Sequence, residues 1–100
     1  MAPINRAKLD PSEIEAALVK LNRWSINPAG HIESRFTFPD FKTALSFVNQ
    51  VGALAEAEDH HPDIVLRWGE VAVELWTHSA GGITQLDINL ASAINRLYVS

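Results

Sequence analysis

Four histidines, His31, His60, His61 and His78, are the side chains of this sequence best suited to moving a proton near neutral pH. An unperturbed imidazole titrates at about pH 6.5, so one ring can give a proton while a second takes one. His60 and His61 are adjacent, and Glu56 lies one helical turn before them. Three imidazoles and a carboxylate brought together would make a proton-transfer site. His31 stands apart with nothing nearby to partner it and reads as a solvated surface side chain. Cysteine is absent, which excludes a disulfide framework, a thiolate zinc site, an iron–sulfur cluster and a Cys nucleophile.

A metal site is the competing chemistry. His60, His61, His78 and Glu56 could supply three nitrogen ligands and one oxygen to an ion such as zinc. Adjacent residues on an extended chain point to opposite faces, however, so His60 and His61 need an irregular backbone to chelate one ion. The helical i, i+4 pair of metal-binding histidines is missing. A metal-dependent hydrolase therefore ranks below metal-free proton transfer.

The elements that must carry these residues follow from periodicity. Ile14, Ala17, Leu18 and Leu21 form one helical face, and Asp10, Pro11 and Glu13 supply an N-cap, a first-turn proline and a reciprocal capping partner. A helix over residues 11–22 is predicted. After the turn chemistry of Asn27-Pro28-Ala29-Gly30, alternation predicts a half-buried strand from Ile32 to Phe38, with Trp24-Ser25-Ile26 able to pair with it. Pro39 and Asp40 open a second helix with Phe41, Ala44, Leu45, Val48, Val51 and Ala55 on its buried face. That helix should end near Asp59, because Pro62 disfavours helix at the residue before it.

Two strands, residues 63–68 and 71–77, come next, with Gly69-Glu70 as a two-residue turn. In that register Trp68 faces Val71, and His61 falls opposite His78 at the open end of the hairpin. Ile64, Leu66, Trp68, Val71, Val73 and Leu75 should then meet the helices. Val65, Arg67, Ala72, Glu74 and Trp76 share the other face, where Trp76 and Val65 hint at a contact between subunits. Gly81 and Gly82 need only a permissive turn. Thr84 and Asp87 form a capping box for a last helix carrying Leu86, Leu90, Ile94 and Leu97. Capping alone could account for Asp87. Trp24 could pack in the core or offer a stacking face to a planar ligand.

The order α-β-β-α-β-β-α implies an α+β fold, an antiparallel sheet with helices packed on one face. One hundred residues, 47% of them hydrophobic, make a single domain over residues 1–100, with residues 1–8 expected as a flexible tail. The net charge of -4 and the scattered cations argue against nucleic acid as a partner. No apolar run approaches membrane-spanning length and the first residues lack a signal core, so a cytoplasmic protein is expected.

Glu56-x-x-x-His60-His61-Pro62, with Trp68, His78 and Asp87 at their spacings, resembles the pterin-4a-carbinolamine dehydratases. Phe38-x-Asp40-Phe41, Thr77-His78, Gly81-Gly82 and Asp87-Ile88-Asn89-Leu90-Ala91 extend the likeness, which runs from about Leu9 to Leu97. The resemblance implies a four-stranded antiparallel sheet with helices on one face, assembled as homodimers or homotetramers. It also implies a metal-free dehydratase that needs no cofactor. The pterin itself is the substrate, a 4a-hydroxytetrahydropterin that loses water to give the quinonoid dihydropterin.

On that reading His60 and His78 are the acid/base pair and His61 binds and orients the pterin. Glu56 holds an imidazole in one tautomer, Trp24 stacks near the ring, and Pro62, Thr77 and Asp87 complete the substrate-binding set. Some members of the family carry Cys two positions after the third histidine. Ala80 stands there, so no thiol role transfers. The alternative is a non-enzymatic binding or transcriptional coregulator module on the same fold, against which the retention of all three histidines speaks.

Overall fold

A computed structural model of the chain describes residues 7–98. Asp10 starts helix α1 (Pro11–Leu21) as the pattern predicts, its Oδ1 accepting from the Glu13 N–H at 2.9 Å while Glu13 Oε1 accepts from the Asp10 N–H at 3.0 Å. The helix stops where Asn22 and Arg23 take positive φ, and it buries Ile14 and Leu21. Strands β1 (Ser25–Ile26) and β2 (Ile32–Thr37) follow, then helix α2 (Phe41–Glu58), strands β3 (Asp63–Arg67) and β4 (Glu70–Leu75), a 3-10 turn (His78–Ala80) and helix α3 (Gln85–Leu97). The four strands form one antiparallel sheet in the order β1-β2-β4-β3.

Alternation along the strands places the core. Ile32 and Phe36 of β2 and Val71, Val73 and Leu75 of β4 are fully buried, against Ala44, Phe47 and Val51 of α2 and Leu90, Ala91 and Ile94 of α3. Phe41 and Leu45, expected on the buried face of α2, are instead 44% and 39% exposed. At 3.6 residues per turn they lie about 60° and about 100° around the helix from Ala44, beyond the stripe that meets the sheet. Phe47 takes the place assigned to them.

The β3–β4 register differs from the expected one by two residues. Arg67 pairs with Glu70 and Leu66 with Val71, so the turn residues are Trp68 and Gly69. A backbone contact decides this: the Phe38 N–H donates to Gly69 O at 2.9 Å, and a Cβ on Gly69 would lie 2.9 Å from Phe38 O. Glu70 enters the ladder opposite Thr37, where its carboxylate accepts from Arg35 at 3.2 Å. A slip of two keeps every side chain on its predicted face. Trp68 is the exception, a turn residue 68% exposed rather than a core residue.

Of the expected tail, residues 1–6 lie outside the described residues. Lys8 rests against Gly82, and the Leu9 N–H donates to Ile83 O at 2.8 Å. Among the described residues no helix is long and apolar enough to cross a membrane.

Gly69→Ala is expected to cost about 1–3 kcal/mol, the usual range for forcing an extra carbon into a packed site. Gly82→Ala should cost less, because its new Cβ meets only the movable side chain of Lys8. Urea denaturation of the two variants checks the ranking.

Candidate active site

Two chain reversals at one end of the sheet build the site. Helix α2 closes on Asp59, a left-handed residue at φ 50° whose turn lets the His60 N–H reach Ala55 O at 3.1 Å. Pro62 then holds His61 extended, leading into β3. This irregular stretch sends the two neighbouring imidazoles to different partners. His60 turns inward, its side chain 12% exposed, while His61 stays 55% exposed and pairs through Nε2 with Glu56 Oε2.

The second reversal follows β4. Thr77 bridges to Gly82, and Thr77 O accepts from the N–H groups of Ala80 and Gly81 at 3.1 and 3.0 Å. Gly81 sits at φ 70°, a conformation a side chain would strain. The tight loop presents His78 to solvent beside Thr77.

Asp87 joins the two. Its Oδ2 caps α3 by accepting from the Thr84 N–H at 2.9 Å, and accepts from the Thr77 hydroxyl at 2.8 Å. Its Oδ1 lies 2.6 Å from His60 Nε2. Capping, expected of this residue, occupies one oxygen, and the other meets an imidazole, a contact expected instead of Glu56. In a neutral His60 ring that donates to this carboxylate, the proton sits on Nε2 and the lone pair on Nδ1.

His60, His61, Trp76, Thr77, His78 and Leu86 line a cleft of about 360 Å³. The three imidazoles therefore converge, although not through the predicted pairing of His61 with His78: extended past its ends, the observed register sets His61 opposite Trp76. Pro62 shapes the backbone, and Glu56 and Asp87 stand behind His61 and His60. Trp24 takes the packing alternative. It is buried, its Nε1–H donates to Asn95 Oδ1 at 2.8 Å, and its ring meets Phe36 edge-on. Among the described residues no three His, Asp or Glu side chains are grouped so as to hold a metal ion.

His31 is not the solvated residue the sequence implies. Its Nδ1 lies 2.6 Å from Glu74 Oε2, and its ring stacks on Trp76 at 4.0 Å with planes 2° apart. The Glu74 carboxyl is held below the usual glutamate range, first by the Asn27 amide and then by His31, against a smaller opposing effect of burial. Only the β2–β4 pairing reveals this cluster, and it joins strands separated by α2 and β3.

The family model for pterin 4 alpha carbinolamine dehydratase matches residues 7–97. The chain belongs to this dehydratase family. A Rickettsia bellii protein bearing the family name is 43% identical over 90 residues, covering 89% of this chain and 80% of that protein. One from Sulfurisphaera tokodaii is 44% identical over 90% of this chain and 96% of its own. Among solved structures, a transcriptional coactivator/pterin dehydratase from Brucella melitensis superposes with a TM-score of 0.86 at 38% identity, over 90% of this chain and 97% of that one. A pterin dehydratase-like protein identified as a RuBisCO assembly factor in the alpha-carboxysome shares the fold, with a TM-score of 0.66 at 19% identity, over 76% of this chain and 89% of its own.

Asp87→Ala, which strands a buried helix N–H, a hydroxyl and an imidazole, should cost about 3 kcal/mol in urea denaturation. Glu56→Ala removes an exposed pair and should cost less than about 0.5 kcal/mol. Because the Glu74 carboxyl titrates lower in the folded protein than in the unfolded chain, its contribution is present above the ordinary glutamate range and lost as pH falls through the folded-state value. The stability gap between wild type and Glu74→Gln should therefore narrow between about pH 6 and about pH 3, measured by denaturation at each.

Proposed function

We propose that the cleft dehydrates a 4a-hydroxytetrahydropterin to the quinonoid dihydropterin, with His60 as base and His78 as acid. The observation that supports this reading is the contact of buried Asp87 with Nε2 of His60, a ring that borders the cleft, because in the neutral ring it leaves Nδ1 as the atom that can accept a proton. The protonated His78 gives its proton to the 4a-hydroxyl as the C4a–O bond breaks and water leaves. His60 takes the proton from N5, and the electron pair of that N–H bond forms the C4a=N5 double bond. The imidazolium generated on His60 is stabilised by the Asp87 carboxylate, as in other carboxylate-oriented imidazole bases. Solvent then returns the two rings to their starting states.

His61, steadied by Glu56, orients the pterin edge, and Thr77 holds the loop that carries His78. No metal ion or cofactor enters these steps, since both proton transfers are assigned to side chains of the chain itself. Assembly into dimers or tetramers fits the family, and the exposed Phe41, Leu45 and Val65 supply apolar surface for it. Recycling of a pterin inside the cytoplasm is the setting in which such a reaction is useful.

The test is spectrophotometric: loss of freshly generated 4a-hydroxytetrahydropterin against the spontaneous rate. Wild type should accelerate it, and His60→Ala should lower kcat by about 10²-fold or more, the usual worth of an acid/base group. Near-normal kcat in that variant removes His60 from the chemistry. A folded wild type no faster than the uncatalysed reaction points to the binding or coregulator module instead.

A further inference from the structure

We propose that Trp76 is a positioning residue for His78, and that His31 and Glu74 back it from across the sheet. This rests on the dehydratase reading above. The three imidazoles at the cleft are held in different ways. His60 is held by the Asp87 carboxylate and His61 by that of Glu56. His78 is exposed on its 3-10 turn, and among the described residues no hydrogen bond reaches its ring. What meets that ring is the Trp76 indole, with centroids 4.4 Å apart and planes tilted by 45°. The difference suits an acid. A carboxylate would occupy one ring nitrogen and favour the imidazolium, so that a proton there is given up less readily. An indole restrains the ring and leaves both nitrogens unengaged, so that either can present its proton to the 4a-hydroxyl.

The indole is fixed in turn. Trp76 lies between the last ladder pair of β2 and β4, Ile32–Leu75, and the Thr77–Gly82 bridge that closes the loop. One step past that pair His31 falls cross-strand from it, and the two rings stack 4.0 Å apart with planes 2° from parallel. His31 is anchored twice. Its Nδ1 lies 2.6 Å from Glu74 Oε2, and its N–H donates to Asn27 Oδ1 at 3.1 Å. Asn27 Nδ2 joins the two anchors by donating to the same Glu74 oxygen at 2.9 Å. A chain of contacts, Asn27–Glu74–His31–Trp76–His78, therefore runs from the turn before β2 to the cleft. Misplacing a catalytic group by about 1 Å can cost about 10²-fold in rate, so an acid on an exposed turn gains most from such a backing.

Steady-state dehydration of 4a-hydroxytetrahydropterin by wild type, Trp76→Ala, Trp76→Phe, His31→Ala and Glu74→Gln tests the assignment, with circular dichroism melting to confirm folding. Each substitution is also made together with His78→Ala. Trp76→Ala should lower kcat about tenfold with KM within about twofold of wild type, because the lost restraint serves the transition state. Trp76→Phe should recover most of that loss, and His31→Ala and Glu74→Gln should lower kcat about two- to fivefold. Beside His78→Ala, itself down about 10²-fold, none of them should lower kcat further, since residues that act as a unit are not additive. Wild-type kcat in Trp76→Ala, or an equal loss with and without His78, overturns the positioning role. Unmoved kcat in both His31→Ala and Glu74→Gln overturns the backing. Proton NMR reads the contact without turnover. The His78 ring signals, assigned by their disappearance in His78→Ala, should be displaced by the indole ring current and return toward free-histidine positions in Trp76→Ala. Signals that Trp76→Ala leaves in place overturn the contact. Should Trp76→Ala fail to fold, His31→Ala with and without His78 decides the question, an unmoved or additive kcat being the overturning result. Wild-type turnover with additive losses defeats the positioning alone, whereas no acceleration by wild type defeats the dehydratase reading and the acid together.

Discussion

The Asp87 carboxylate is fully buried, and burying such a group costs several kcal/mol unless its oxygens are met by donors. Here it is met by the N–H of Thr84, the N-cap residue of α3, by the Thr77 hydroxyl and by His60. The helix N-terminus adds its favourable partial charge. These donors come from three separate stretches of chain, so the carboxylate is satisfied only when the end of α2, the loop after β4 and the start of α3 are all in place. The same interaction that completes the fold at this end orients the His60 ring. A protein of this size gains both from one residue.

That arrangement explains why the site is built on irregular backbone. A regular strand through His60 and His61 would send their side chains to opposite faces at one fixed spacing. The left-handed residue Asp59 breaks the helix at the point where His60 can turn beneath α3, while His61 swings back toward Glu56 on the last turn of α2. The 3-10 turn after Thr77 does the equivalent for His78, gathering successive N–H groups onto one carbonyl. The sheet ends, the loops bend, and three imidazoles separated in sequence border one cleft.

Local signals were sufficient wherever the deciding contact is local. The Asp10-x-x-Glu13 and Thr84-x-x-Asp87 boxes locate α1 and α3, and alternation assigns the faces of β2, β3 and β4. What the residues do not disclose is set by distant partners. The β3–β4 turn is placed by the backbone of Phe38, some thirty positions before it. Trp24 is drawn into the core by Asn95, 71 residues away, and His31 finds Glu74 across 43 residues. Histidine clustering is insensitive to a two-residue shift of register because it depends on the two strands being antiparallel neighbours, not on which residue faces which.

Likeness of fold does not by itself carry chemistry. A solved structure at 19% identity shares the sheet-and-helix scaffold, and scaffold alone does not specify a reaction. What this chain adds to the scaffold is the pairing of side chains at the cleft: one imidazole against a buried carboxylate, a second open to solvent, and an indole stacked with a third just past the end of β4. On the outer face of the sheet the Asn27–Glu74–His31 chain sets one imidazole parallel to the Trp76 indole, so contacts between distant strands order this end of the sheet as well.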